Sequence, residues 1–290
     1  MMRKIALSLL IVWPVVCGAQ QPAVLDKKKL EMALARVEAA LKGQEVHGDV
    51  AFLLGQVEKW SGHRVDIRLP GYVEAKKDIY PVSLEYYLWT IRHEAIALPQ
   101  SPQPRASSHG TSASAGIPAK AARDNMRWSQ DFDRAYHQMG KRVMQIMSDA
   151  ITCEPLGKDG KPRKGRNLVG LPDQGYVLTH QAIGLLIARF RKCFSTDSDM
   201  ELGAYTRRIH DEFIVNLDIL SDLQAERALT LILTGQKHLI PAEFANRLAR
   251  SQRPDGTWAF DEPVITQRLM LPEHTTGLVF AVLAAFAGDI

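Results

Sequence analysis

Apolar side chains recur at helical spacing along most of this chain and alternate strictly in one short stretch. Over residues 26–41, Leu30, Leu34, Val37 and Leu41 share one face, and Lys27, Lys28 and Lys29 sit on the early turns. That spacing predicts an amphipathic helix. Residues 49–60 repeat it with Phe52, Leu53, Val57 and Trp60, with Asp49 as the capping residue and Gly62 as the stop. From His63 to Pro70 polar and apolar residues alternate, as in a half-buried strand. A third helix is predicted to run from about Leu84 through Trp89 and Ile91 to Ile96.

Beyond residue 124 the pattern is almost wholly helical. Residues 127–151 carry Phe132, Tyr136, Met139, Val143, Met144 and Met147 roughly every third or fourth position. The segment 176–194 is strongly apolar, through Ile183, Leu185, Leu186, Ile187 and Phe190, and 202–217, 220–233, 241–250 and 272–286 complete the set. Pro241 and Pro272 stand in first turns, where proline is tolerated, and Gly235 suits a helix exit. Between the two regions, residues 98–122 are rich in Pro, Ser, Gly and Ala with almost no large apolar side chain. Such a stretch buries too little surface to offset its ordering entropy and reads as a linker. The expected organisation is a small helix–strand module over 20–98, a linker over 99–123 and a mainly α domain over 124–290.

The first nineteen residues stand apart. Arg3 and Lys4 precede an apolar run from Ile5 to Val16, and small residues follow up to Ala19. This is the pattern of a signal peptide, shorter than the roughly 20 apolar residues that span a bilayer. The mature protein is therefore expected in the periplasm or outside the cell. Of the three cysteines, Cys153 and Cys193 would remain. In an oxidising compartment they are expected to pair, closing a loop of about 40 residues and contributing on the order of 3–4 kcal/mol. No Cys-x-x-Cys spacing supports a zinc cluster.

A net charge of +4, two units of it from Arg3 and Lys4, is too small to argue for nucleic-acid or membrane partners. The basic cluster over 158–166 is full of Gly and Pro and has no aromatic residue, so it reads as a solvated loop rather than a nucleic-acid surface.

One stretch suggests an architecture. Ser251-Gln252-Arg253-Pro254-Asp255-Gly256-Thr257-Trp258 places a helix end, a tight turn and a returning tryptophan in sequence, and Glu273-His274-Thr275-Thr276-Gly277-Leu278 opens the next apolar helix. This order resembles the Gln-to-Trp repeat of terpenoid cyclases and related α/α-toroid proteins. The resemblance implies a mainly α fold, a partial α/α-toroid of helical hairpins whose inner helices begin at one common mouth. Thr179-His180-Gln181-Ala182-Ile183-Gly184 starts an apolar helix in the same way, so His180 and His274 would face that mouth. Only one clear Gln-to-Trp element is present, and the Asp-rich acid motif of squalene-type cyclases is missing. The architecture therefore carries over more readily than the cyclase reaction.

The residues that would carry chemistry follow from this placement. Tyr176, His180, Arg227 and His274 are candidate catalytic groups, and Asp173, Glu226, Asp255, Trp258 and Glu273 candidate binding groups. A helix N-terminus favours neutral imidazole, suited to a base or ligand near neutral pH. Glu226 and Arg227 are expected on a solvated face, and Asp255, Gly256 and Trp258 as turn and staple. No serine-hydrolase or phosphate-loop motif occurs, nor a His-Glu-x-x-His helix, so no cofactor or metal is expected. The leading function class is an exported binding or scaffold protein for a protein or glycan of the cell envelope, and the alternative is a polysaccharide lyase or hydrolase. Polar candidates clustered in one deep pocket would favour the enzyme; dispersal around an open apolar groove would favour binding.

Overall fold

The computed structural model describes residues 24–75, 88–89, 92, 174–190, 196–260 and 272–288. The signal segment 1–19, the linker 99–123, the predicted helix over 127–151 and the Cys153–Cys193 pairing lie outside the described residues, as do Asp173 and the basic stretch 158–166. What is described is mainly helical, with eight α-helices.

Three helices come from the first part: α1 (Lys27–Leu41), α2 (Gly48–Ser61) and the short α3 (Gly71–Ala75). Asp26 caps α1, its side chain accepting from the Lys29 amide at 3.2 Å. Asp49 was expected to cap α2, but His47 occupies that position, and the Asp49 side chain turns to a different partner described below. Gly62 ends α2 in the left-handed conformation, φ 74°.

The alternating stretch that follows is extended, with residues 63, 65 and 67 half-buried and 64, 66 and 68 exposed. Val65 and Ile67 lie against the core. It forms a single parallel bridge, Glu45 with Arg68, and no strand among the described residues. The reason is the partner: only a few residues separate α1 from α2, too few to lengthen a ladder.

Five helices come from the second part: α4 (Gly175–Phe190), α5 (Thr196–Val215), α6 (Asp222–Leu233), α7 (Ala242–Arg250) and α8 (Pro272–Ala287), with a 3-10 turn at Lys237–Leu239. Ser221 caps α6, accepting from the Gln224 amide at 3.1 Å. Helices α2, α4, α6 and α8 are buried on nearly every side, whereas α1, α5 and α7 keep a polar face. A helix that is apolar nearly all round has to sit between others, and α8 does so, packing against α1, α2, α6 and α7.

One contiguous apolar core joins the described helices from both sides of the linker, from Leu30, Leu34 and Val37 through Leu178 and Leu185 to Phe280 and Leu283. Each such fully buried side chain contributes about 1.5–3 kcal/mol. The Gln-to-Trp element locks the edge of this core. Trp258 is fully buried, and its indole N–H donates to the Leu248 carbonyl at the end of α7, 2.8 Å away. The Gln252 amide donates to the Ala33 carbonyl of α1 at 2.9 Å and to the Gly256 carbonyl at 3.0 Å. Asp255 caps its own turn, accepting from the Thr257 amide and hydroxyl at 3.0 and 2.7 Å.

Candidate site at the helix N-termini

The four buried helices start together. Asp49 in the first turn of α2, Tyr176 and His180 in the first two turns of α4, Asp222 and Glu226 in those of α6, and His274 in the first turn of α8 form one hydrogen-bonded network. Four positive helix-dipole ends meet there, which favours the three carboxylates.

Two histidine–carboxylate pairs organise the network. The His274 Nδ1 donates to Asp49 Oδ2 at 2.7 Å, and its Nε2 faces Asp222 Oδ2 at 3.9 Å. The His180 Nδ1 donates to the Tyr176 carbonyl at 2.7 Å and lies 3.0 Å from Glu226 Oε1. Hydroxyl groups fill in around the carboxylates. Tyr176 donates to Asp222 Oδ2 at 3.2 Å, Thr275 to Asp222 Oδ1 at 2.6 Å, and Thr179 to Glu226 Oε1. The other Glu226 oxygen, Oε2, is buried with no hydrogen-bond partner among the described residues.

These contacts change the expected protonation. Burial would lower the His274 pKa, but Asp222, Asp49 and Glu226 outweigh it and push the imidazole up to about 10. Burial and then Glu226 act on His180 in the same opposed way, with a net upward shift. The dipole argument for neutral imidazoles is thus overturned by carboxylates that sequence spacing does not bring beside them. Asp222 is raised, chiefly by burial and against the pull of His274. Glu226 and Asp49 are held below the usual carboxylate range, because His180 and His274 respectively more than offset their burial. Two carboxyl groups one helical turn apart on α6 are therefore pushed in opposite directions.

Of the sequence-derived candidates, Tyr176, His180, Glu226 and His274 converge here, and Glu273 is half-buried beside His274 in the first turn of α8. Arg227 does not join them. It is buried, not solvated as expected, with its guanidinium on Glu212 Oε2 at 2.5 Å and Gln224 Oε1 at 2.8 Å. Glu226 likewise leaves the solvated face expected for it and is buried. Trp258 is sealed inside the core, and Asp255 serves its turn.

Sequence reading missed Asp222, Thr179 and Thr275, and assigned Asp49 only a capping role. A signal existed for Asp222: it stands four residues before Glu226 at the start of an apolar helix, so both share a face. Nothing in the sequence pairs Asp49 with His274, 225 residues away.

A cavity of about 540 Å³ lies at the opposite end of α4 and α6, lined by Arg189, Thr206, Arg207, His210 and Thr234 among others. Among the described residues no helix is long and apolar enough to cross a membrane. The chain matches no protein-family model, and comparison with curated proteins and with solved structures found no match.

Proposed function

We propose that this chain is an exported, partial α/α-toroid whose mouth is an acid–base centre that cleaves a glycan of the cell envelope. The observation that supports the reading is the convergence of Tyr176, His180, Asp222, Glu226 and His274 at the starts of three buried helices. Candidates dispersed around an apolar groove would have favoured binding; these are gathered, although the described cavity lies at the other end of α4 and α6.

Groups whose environments separate their pKa values are suited to divide acid and base roles. His180 is 27% exposed and Glu226 favours its charged form against burial, so a substrate at the mouth can receive its proton. The proton would pass to the leaving sugar oxygen, while a carboxylate of the cluster takes one from water or from the sugar ring. The neutral imidazole then recovers its proton from the carboxylic acid through their contact, and the centre is restored. Tyr176 would hold the acid-bearing helix face in register through its bond to Asp222.

The test is product formation from a panel of envelope glycans, followed as new reducing ends and as unsaturated products. The mature protein is expected to cleave at least one, and His180→Ala to lower kcat by about 10²–10⁴. Absence of product from every glycan would overturn the reading.

The cavity beyond the far ends of α4 and α6 favours a second reading. Arg189 and Arg207, with Asp211 beside them, leave it a net cationic lining suited to an anionic ligand. In that case the protein is a binding module of the envelope and the polar cluster ties its helices together. A glycan that raises the melting temperature without being cleaved, with Arg207→Ala abolishing the shift, would select it.

A further inference from the structure

We propose that Asp222, Glu226 and His274 hold one divalent transition-metal ion. The inference concerns what the cluster binds and does not depend on its cleaving a glycan.

The donor set comes first. Each of the three offers one ligand atom, and these atoms lie within 4.8 Å of one another. Asp222 and Glu226 project from the same face of α6 because they are four residues apart, and His274 meets them from α8. Two carboxylate oxygens and one imidazole nitrogen form a mixed hard and borderline set. It suits Zn²⁺ or Mn²⁺ better than Ca²⁺ or Mg²⁺, which take all-oxygen shells.

Proximity alone would not distinguish such a site from an ordinary buried ion network. Two further observations do. Glu226 is 3% exposed at its side chain, yet Oε2 has no partner while Oε1 has two, Thr179 and His180. A buried carboxylate oxygen without a donor is costly, and a cation beside it removes that cost. The second observation is the orientation of His274. Its Nδ1 is committed to Asp49, which leaves Nε2 directed at Asp222. A carboxylate behind the imidazole fixes which nitrogen can ligate and raises its basicity, the usual arrangement around protein metal ions.

The other ligands are held from behind in the same way. Thr275 and Tyr176 fix Asp222, and Thr179 and His180 fix Glu226. All six of these groups lie in the first two turns of buried helices, so the frame is stiff. Bonds of about 2.0–2.2 Å require the three donors to draw in by roughly an ångström, and the ion takes the place of the proton on His274 Nε2, which leaves to solvent. Remaining coordination positions would be filled by water.

Titration calorimetry of the full mature chain, stripped with chelator and then given Zn²⁺ or Mn²⁺ alone, tests the inference. One ion per chain is expected. Glu226→Gln, which preserves shape and keeps an acceptor for Thr179, should weaken uptake about 100-fold or more. Asp49→Asn, outside the donor set and 40% exposed at its side chain, should weaken it by about 10–100-fold. His238→Ala, an exposed histidine on the 3-10 turn, should leave it unchanged. No saturable uptake of either ion, or uptake unaltered by Glu226→Gln in a variant with a native circular dichroism spectrum, would overturn the site. Should Glu226→Gln fail to fold, Asp49→Asn decides alone: weakened uptake supports the site, unchanged uptake overturns it.

Discussion

His274 shows how far a single side chain can depart from its local setting. Its helix N-terminus and its burial both oppose charge, yet Asp49 from α2 and Asp222 and Glu226 from α6 impose it, with His180 on α4 the opposing cation. In the ion-free protein its folded-state pKa of about 10 lies above the ordinary value of 6.5. A raised cationic pKa stabilises fully below the unfolded value and is lost as pH rises through the folded one. Thermal melts between pH 7 and 9.5 should therefore show falling stability, and His274→Gln should flatten that fall. A fall of the same slope in the variant would assign it to other groups. Trp258 makes the simpler case. Fully buried and hydrogen-bonded through its indole, it should cost about 3–5 kcal/mol on replacement by alanine, read by urea unfolding.

Among the elements, the turn after α7 offers a controlled comparison. Gly256 adopts φ 86°, and a Cβ there would meet the Arg36 carbonyl oxygen of α1 at 2.6 Å. Gly43 also has a positive φ, 69°, but open space around it. Gly43→Ala should cost only the backbone strain, about 1 kcal/mol, whereas Gly256→Ala should cost about 1–3 kcal/mol more as the turn is pushed off α1. Equal losses in chemical denaturation would show that the turn yields freely. Ser221→Ala should remove about 1 kcal/mol by uncapping α6.

The helices themselves were legible because their apolar spacing is strong, and Gly62 marks where α2 stops. Local pattern also gave the alternation over 63–70, which survives as an extended segment with one face on the core. It could not give the missing ladder, which depends on how short the neighbouring connection is. The candidate site was half legible for the same reason. His180 and His274 announce themselves at helix starts, but their protonation belongs to carboxylates delivered by other helices.

At the scale of the molecule, helices from both ends of the sequence share the one described core. Helix α8 packs closely on α2 and also touches α1, and Asn246 of α7 accepts from the Asp26 amide at 2.9 Å and donates to the Val24 carbonyl at 3.0 Å. A chain beginning at residue 99 should therefore lose the cooperative thermal transition of the mature protein and bind a hydrophobic dye. A sharp transition at the parent temperature would show that the second part folds alone.

The bond from Gln252 to Ala33 spans 219 positions, and this has a consequence in time. A chain made from its amino end presents α1 and α2 first, and the helices that cover them come last. Until α8 emerges, the apolar faces of Leu34, Val50 and Leu54 lack the partners it brings. Such long-range closure makes folding slow and leaves sticky intermediates exposed. The described core thus closes only once α8 has been made, and a premature stop anywhere before it would yield a product for proteases rather than a smaller working unit.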